Sequence, residues 1–468
     1  MTFNAGVLDA DISARAESRV GWCIAGLASA GLLLLPAVWN GFPLLEYDTG
    51  GYLARWFEGY LVPSRPAAYG LLLAPAARFE FWPVLVLQAA ATIWILALLL
   101  RELGFTSRPA LLAAVVATLT FTTTLPWLAG ILLTDIFAGL AVLALYLIVF
   151  GRSIGSGQRW ALIGFTAFAA ATHSATLALV TILGCFLALL PRRLVSVPRA
   201  GCAVLCVGAA VMMTLSANRI VSGRFELTPG GFGIMFGRML EDGIVSRYLR
   251  DHCPDSRFRL CSFRDQLPAT ADEFLWNDGV FNQLGRFDGL GGEMRAIVLG
   301  SLRDYPLLQI KTGLAATMMQ LTKVATGEGV VNTLWHTYGI IDRYTPSAAA
   351  SMRAARQQHG EIHFRALNGV DVPIALGAMT LLPLLMAVGL KWSAFDRLSL
   401  LACTIAAALL VNAFVCGALA NPHDRYGARL AWLAPLAVLL GAIRMSGLVA
   451  NDVRPSGARR SPTTGKFQ

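Results

Sequence analysis

Long apolar runs separated by short polar loops make up most of the chain. The runs that are long enough to cross a bilayer core of about 30 Å cover residues 20–39, 81–103, 109–125, 131–150, 199–217, 372–390, 398–418 and 430–443. A further apolar stretch, 160–190, is too long for one span and is broken by the polar step Thr172-His173-Ser174, so we expect a hairpin of two short helices. The pattern predicts an all-α polytopic membrane protein with about ten transmembrane helices.

Positive charge is distributed unequally among the loops. Few lysines or arginines lie in the short loops around Trp127 and His173. The cation-rich segments are residues 15–19, 101–108, 152–159, 192–199, 391–397 and the tail. The positive-inside rule places these segments in the cytoplasm. Both termini are then cytoplasmic, and the loop 40–80, His173, the segment 218–371 and the segment 421–426 face outward.

These boundaries predict the organisation of the chain. The expected parts are a cytoplasmic segment 1–19, a transmembrane core 20–217 with its first external loop 40–80, an external segment 218–371, C-terminal transmembrane helices 372–443 and a basic cytoplasmic tail 444–468. Residues 306–324 are apolar but interrupted by glutamines and lysines, so we expect a surface-lying or re-entrant helix there. The first run is too long for a removable signal peptide. A chain rich in Ala, Arg and Gly with this design suits a bacterial cytoplasmic (inner) membrane.

Composition excludes an ordinary soluble protein. The 468 residues are 56% hydrophobic and 14% charged, whereas about a quarter of the residues in a soluble domain are charged. The net charge of +10 does not indicate nucleic acid as a partner, because the cations lie in the loops between apolar runs and in the tail. Membrane lipids are the expected partners.

Two of the eight cysteines, Cys253 and Cys261, lie in the polar segment 218–371. An external location and a spacing of eight residues favour a local disulfide. The alternative is a zinc site, which needs two further ligands, and only His252 is close in the sequence. The other six cysteines lie in apolar runs, where a small buried thiol is the usual role.

The loop 40–69 concentrates acids, arginines and aromatic residues. Apolar residues from Tyr52 to Tyr60 recur at helical spacing, which predicts a short helix on the membrane surface with its aromatic side chains toward lipid. Thr49-Gly50-Gly51 is expected to break the backbone after Asp48. A carboxylate beside arginines at the lipid boundary suits chemistry on a lipid-linked anion. The alternative is a solvated connector with an aromatic belt.

Four further residues are candidates for chemistry. Asp135 begins an apolar run, where a carboxylate faces protein or a water-filled cavity, or caps the helix. His173 lies at the turn of the predicted hairpin, where it either takes part in the chemistry or is simply a polar residue of the turn. His423 and Arg425 precede the last run and suit a phosphate, with an Arg–Tyr interfacial anchor as the alternative. Nucleotide-binding loops and the zinc-protease and serine-hydrolase motifs do not occur.

Four short motifs together resemble the GT-C superfamily of membrane glycosyltransferases, which includes protein O-mannosyltransferases and aminoarabinose transferases. They are Glu46-Tyr47-Asp48, the stretch from Ser64-Arg65-Pro66 through Tyr69 to Leu73, Thr134-Asp135, and Asp424-Arg425-Tyr426. The chain departs from the family pattern at Gly70, where proline is usual. It also has no acidic residue next to Asp135, so no metal cofactor is expected.

The resemblance implies transfer of a sugar from a polyprenyl-phosphate donor to a lipid, glycan or protein acceptor outside the membrane. Asp48 is then the general base, and Asp135 the second catalytic carboxylate. The residues implied in substrate binding are Glu46, Tyr47, Arg65, Tyr69, His173, His423, Arg425 and Tyr426, of which Arg65, His423 and Arg425 hold the donor phosphate.

Two other functions are compatible with the same pattern. A flippase or transporter of a lipid-linked saccharide needs polar groups near mid-membrane and often shows repeat symmetry, and neither is visible in the sequence. A polysaccharide polymerase, also multispanning, requires essential residues in the segment 218–371 rather than in the first loop.

Overall fold

The computed structural model describes residues 5–105, 108–253, 258–393 and 396–446. Within these ranges every regular element is a helix. The predicted basic tail therefore lies outside the described residues from position 447 onward, as do the first four residues of the predicted N-terminal segment.

The first half of the chain is a succession of helices joined by short turns. They are α1 Ala5–Asn40, α2 Tyr47–Glu58, α3 Gly70–Ala76, α4 Trp82–Glu102, α5 Pro109–Thr122, α6 Leu125–Gly130, α7 Asp135–Phe150, α8 Ser156–Ala171, α9 Ser174–Ala188 and α10 Val197–Ser222. The predicted hairpin over residues 160–190 corresponds to α8 and α9, with the break at Thr172-His173.

The second half begins with shorter helices and ends with long apolar ones. The shorter helices are α11 Gly231–Glu241, α12 Ile244–His252, α13 Ala271–Trp276, α14 Val280–Gln283, α15 Arg286–Asp304, α16 Pro306–Thr322, α17 Trp335–Tyr344 and α18 Pro346–Ala354. The long C-terminal part consists of α19 Arg365–Lys391, α20 Asp396–Ala413, α21 Asp424–Ala431 and α22 Leu433–Met445, and a π-helical turn, Phe414–Ala418, extends α20.

Six of the described segments are long and apolar enough to cross a membrane. They are Arg19–Asn40, Trp82–Glu102, Val197–Ser222, Arg365–Gly389, Asp396–Ala418 and Asp424–Met445. Helices α5, α7 and α9 are shorter but also apolar. The described part of the chain is thus helical with several helices that could cross a membrane, as expected for a polytopic membrane protein. The count of ten spans stays a prediction.

Helix α7 lies at the centre of the helical core. Every residue from Asp135 to Phe150 is buried, and α4, α8, α9, α10, α20 and α21 pack around it. At 1.5 Å per residue its 16 residues span about 24 Å. Because protein rather than lipid surrounds this helix, its length need not match the bilayer.

The segment that follows α10 has a hydrophobic core of its own. Side chains of α11, α12, α13 and α15 pack around Phe236, Phe281 and Ile297, which are all completely buried. The structure joins Cys253 to Cys261 by a disulfide at the edge of this core, with their Cα atoms 5.3 Å apart. Helix α16 exists over the expected residues and packs on α20 and the π-helical turn. Its placement relative to the membrane stays a prediction.

The first loop differs from the expectation. The predicted backbone break at Thr49-Gly50-Gly51 is wrong, because α2 runs through these residues. Gly50 is needed there for packing: a Cβ atom on it would lie 2.7 Å from the Cα of Thr337 in α17. The orientation toward lipid is also wrong for Tyr52, which is buried and packs edge-on against Tyr69. Only the far side of the helix, including Phe57, is exposed.

Candidate active site

A cavity of about 1020 Å³ lies near the N-terminal end of α7, which begins at Asp135. Four parts of the chain line this cavity. They are α2 with the residues next to it, the stretch from α13 to the start of α15, the residues between α16 and α17 together with His336, and the N-cap and first turn of α21. The lining residues with ionisable or aromatic side chains are Glu46, Tyr47, Asp48, Arg55, Tyr60, Arg65, Asp272, Glu273, Trp276, Arg286, Phe287, Glu328, His336, His423, Arg425 and Tyr426. Most of the predicted site residues are therefore brought together.

Arg425 binds three carboxylates at one wall of the cavity. Its Nε lies 2.7 Å from Asp135 Oδ2, and its Nη1 lies 2.9 Å from Glu46 Oε1 and 2.8 Å from Asp48 Oδ2. One guanidinium thus links the first loop, the start of α7 and the start of α21. Arginine suits this position because its planar fork offers several donors in fixed directions.

Asp48 and Glu46 differ in their affinity for a proton. Burial opposes ionisation of Asp48, but Arg65, whose Nε lies 2.6 Å from Asp48 Oδ1, and Arg425 outweigh it and lower the pKa of Asp48. Burial raises the pKa of Glu46, and the nearby charge of Asp48 raises it further, against the opposing effect of Arg425. The three carboxylates outnumber Arg425 and Arg65, the two arginines that pair with them, and of Asp48 and Glu46 it is Glu46 that takes up a proton more readily.

Glu46 also sets the position of Asp48. Its Oε2 accepts the backbone N–H of Asp48 at 2.7 Å, and the Thr49 hydroxyl lies 3.0 Å from the Glu46 backbone nitrogen, so that the two residues form a capping box at the start of α2. Gly329 allows this arrangement, because it has a positive φ of 80° and a Cβ atom there would lie 2.4 Å from Glu46 Oε1. The cap fixes Asp48 in the first turn of a helix rather than in a mobile loop.

A second set of ion pairs joins the turn before α21 to the opposite wall. His423 Nδ1 lies 2.8 Å from Glu328 Oε1, and its Nε2 lies 3.4 Å from Asp272 Oδ2 in α13. Burial opposes protonation of His423, but these two carboxylates outweigh it and raise its pKa to about 9. Glu328 also accepts the backbone N–H of Arg425 at 2.7 Å. Glu328 could not be selected from the sequence, because no recognisable motif surrounds it.

Arg55 is a second residue of the site that could not be selected from the sequence. Its side chain lines the cavity but is only 1% exposed, and none of its three guanidinium nitrogens has a hydrogen-bond partner among the described residues. The guanidinium lies over the ring of Tyr52, 4.6 Å from its centroid. Burial lowers the pKa of Arg55 to about 10, so it is still cationic at neutral pH. The burial of Arg55 without a hydrogen-bond partner among the described residues is visible in the structure but not in the sequence.

Three predicted site residues have other positions. Asp135 lies behind Arg425 and is buried, and it is the first residue of α7 rather than its N-cap, which is Thr134. Tyr69 does not line the cavity: it is completely buried, and its hydroxyl donates to Gln88 Oε1 at 3.1 Å. Tyr69 instead packs edge-on against Tyr52, and its contact with substrate stays a prediction.

His173 caps α9, and its Nδ1 accepts the N–H of Ala175 at 3.1 Å. Burial lowers the pKa of His173, and nearby arginines lower it further, which agrees with a neutral acceptor ring. The residue lines a small cavity of about 80 Å³ that Arg65 and Tyr426 also line. It is thus a turn residue close to the site.

Among the described residues, no group of three or more histidine, cysteine or acidic side chains is arranged to hold a metal ion. A cation of the protein itself, Arg425, lies between the three carboxylates that converge most closely. Comparison of the chain with known protein families, curated proteins and solved structures gave no significant match. The function therefore has to be inferred from the chemistry of this cavity.

Proposed function

We propose that the chain is an integral membrane glycosyltransferase that moves a sugar from a polyprenyl-phosphate donor to a lipid, glycan or protein acceptor. The reaction takes place on the external face of a bacterial inner membrane. One observation carries the proposal: one large cavity contains an ionised carboxylate, Asp48, and a buried guanidinium, Arg55, that has no hydrogen-bond partner among the described residues. Asp48 can take a proton from the acceptor, and Arg55 can bind an anion such as the donor phosphate.

The donor phosphate is bound by Arg55 and Arg65. Charge-assisted hydrogen bonds from a guanidinium to a phosphate are among the strongest that a protein offers, and they strengthen as the leaving phosphate gains charge. Leu61 and Val62 also line the cavity, and Leu61 packs against a small buried cluster of alanines that includes Ala217 of α10. This apolar edge takes the first isoprene units of the donor.

Asp48 accepts the proton of the acceptor hydroxyl or amine. The acceptor oxygen or nitrogen bonds to the anomeric carbon, the bond between that carbon and the phosphate oxygen breaks, and the polyprenyl phosphate leaves with the electron pair. A phosphate bound to Arg65 competes with Asp48 for this arginine, and the loss of that partner makes Asp48 a stronger base. Glu46 and Asp135 hold Arg425 and through it the position of Asp48.

Transfer by the purified protein in detergent, with a polyprenyl-phosphate sugar as donor, tests the proposal. Asp48→Asn keeps the size of the side chain but cannot take the proton, so we expect activity to fall by about 10²–10⁴-fold. Glu46→Gln is the matched control. Its amide oxygen still caps α2, and the expected loss is smaller. Full activity of Asp48→Asn would overturn the mechanism.

The sugar and the acceptor can be identified independently of the mutations. Mass spectrometry of lipids and glycans from a deletion strain is expected to show one lost sugar and an accumulated polyprenyl-phosphate sugar. A strain that loses the sugar but accumulates the lipid-linked saccharide on the cytoplasmic side, rather than on the external side, would indicate a flippase instead.

A further inference from the structure

A second polar cavity lies at the opposite end of α7, about 24 Å from the candidate active site along the helix. It has a volume of about 420 Å³ and is formed where α7 ends, α10 begins and α20 begins. Five arginines line it: Arg152, Arg192, Arg193, Arg199 and Arg397. Asp396 is the only acidic residue in the described lining.

The positive charge of this arginine cavity is largely uncompensated. Glu102, which is buried behind the lining, pairs with Arg397 at 3.0 Å and accepts the backbone N–H groups of Arg152 and Ser153, each at 2.8 Å. This carboxylate fixes the loop after α7 but leaves the Arg152 guanidinium without a carboxylate partner. In the described part of the chain, the side chains of Arg192 and Arg193 also have no hydrogen-bond or ion-pair partner, so three guanidinium groups face one small volume unneutralised.

The surroundings of the cavity indicate a lipid rather than a soluble anion. The arginines lie in the turns between apolar helices or in the first turn of such a helix. Exposed apolar side chains flank them on both sides: Leu189, Leu194 and Val197 beside Arg192 and Arg193, and Trp392 beside Ser393. Such a combination binds a charged head group in the cavity and acyl chains along the adjoining helix surfaces. A free phosphate gains nothing from the apolar border.

We propose that the arginine cavity binds the phosphodiester head group of an anionic phospholipid, such as phosphatidylglycerol, in the leaflet opposite the candidate active site. The lipid links the loop after α7 to the starts of α10 and α20, and two of these helices, α7 and α10, also extend toward the active-site end. This site is independent of the proposed transferase activity, because its residues are on the other side of the core.

Lipid binding by the purified full-length chain in neutral detergent tests the proposal. Phosphatidylglycerol is titrated and bound molecules are counted by native mass spectrometry, with phosphatidylcholine and inorganic phosphate as comparison ligands. The variant Arg192→Gln/Arg193→Gln removes two exposed cations that pair with none of the described residues, so folding should be unaffected. An arginine near an anionic lipid surface contributes about 1 kcal/mol, and we expect phosphatidylglycerol to bind roughly 10–30-fold more weakly.

The matched control is Arg108→Gln/Lys391→Gln, which removes the same charge from exposed positions at the same end of the helices but outside the lining. Retained affinity in the control, together with rescue by Arg192→Lys/Arg193→Lys, supports the proposal. Equal weakening in both double variants would overturn it, because bulk charge would then explain the binding. Equal binding of phosphatidylcholine, or binding of inorganic phosphate as tight as that of the lipid, would also overturn it.

Discussion

Replacing Arg55 with methionine tests the buried guanidinium that has no partner. Methionine keeps a long unbranched side chain that fills the same space against Tyr52, but it removes the charge. If Arg55 is buried in order to bind an anion, the variant should lose donor affinity and keep or gain stability. A residue that is needed only for folding would show the opposite behaviour.

The magnitude follows from the environment of Arg55. Burial lowers its pKa from the ordinary 12.5 to about 10, and at about 1.4 kcal/mol per tenfold change this corresponds to a cost of about 3 kcal/mol in the unliganded protein. The contact with the Tyr52 ring returns about 0.5–2 kcal/mol. We therefore expect Arg55→Met to raise the free energy of unfolding by about 1–2 kcal/mol. Loss of a charged hydrogen bond to phosphate, about 1.5–3 kcal/mol, weakens donor binding by roughly 10–150-fold.

Two measurements on the same preparations separate these effects. Thermal unfolding in detergent reports stability, and direct titration with polyprenyl phosphate reports binding without requiring catalysis. The matched control is Arg429→Met. Arg429 is equally buried, but its Nε and Nη2 donate to Asn412 Oδ1 at 3.0 and 2.6 Å. Removing this paired arginine should lower the melting temperature.

The reasoning would be refuted by a variant that behaves in the reverse way. An Arg55→Met protein that melts below the Arg429→Met protein and binds polyprenyl phosphate as tightly as wild type would show that Arg55 stabilises the fold. If wild type itself does not bind polyprenyl phosphate, the proposed function fails rather than the role of Arg55.

Three further predictions address topology, the disulfide and pH dependence. A cysteine introduced at Tyr47, which is exposed in the first loop, should react with an impermeant thiol reagent in intact cells and one at the exposed Ser156 should not, because the loop charges place them on opposite sides; the reverse pattern would invert the orientation. Cys253 and Cys261 should be found joined after alkylation under non-reducing conditions, and reduction should destabilise the 218–371 segment by about 2–3 kcal/mol, whereas two free thiols would contradict the pairing. Because the pKa of His423 is raised from 6.5 to about 9, its ion pairs stabilise the folded state fully below pH 6.5 and lose this effect as the pH rises through 9. The difference in melting temperature between wild type and His423→Gln should therefore shrink over that interval, and a difference that is constant with pH would exclude the ion pairs.

The sequence by itself determined the class of the fold and the positions of most helices. In a bilayer, backbone N–H and C=O groups have no water to bond, so a long apolar run has to form a helix that satisfies them internally. The break at Thr172-His173 was equally visible, because it depends on neighbouring residues alone. The same local character explains why Asp48, Arg65 and Arg425 could be selected as candidates: each lies in a short motif that is recognisable from its neighbouring residues alone.

The local sequence pattern wrongly predicted a backbone break within α2, and the reason is physical. Two adjacent glycines ordinarily weaken a helix, but here Gly50 lets α17 approach the backbone and Glu46 caps the first turn. Packing and capping therefore override the intrinsic preference. The contact partner, Thr337, is 287 residues away along the chain.

Only the tertiary structure decided the roles of the charged residues. Arg425 and Glu46 are 379 positions apart. The residues around either of them in the sequence do not indicate that one arginine binds three carboxylates. The same holds for Arg55 and Glu328, which look like ordinary surface charges in the sequence. Whether a charge is paired, buried or left without a partner depends on which distant segments surround it, and that surrounding sets its proton affinity and its readiness to bind an anion.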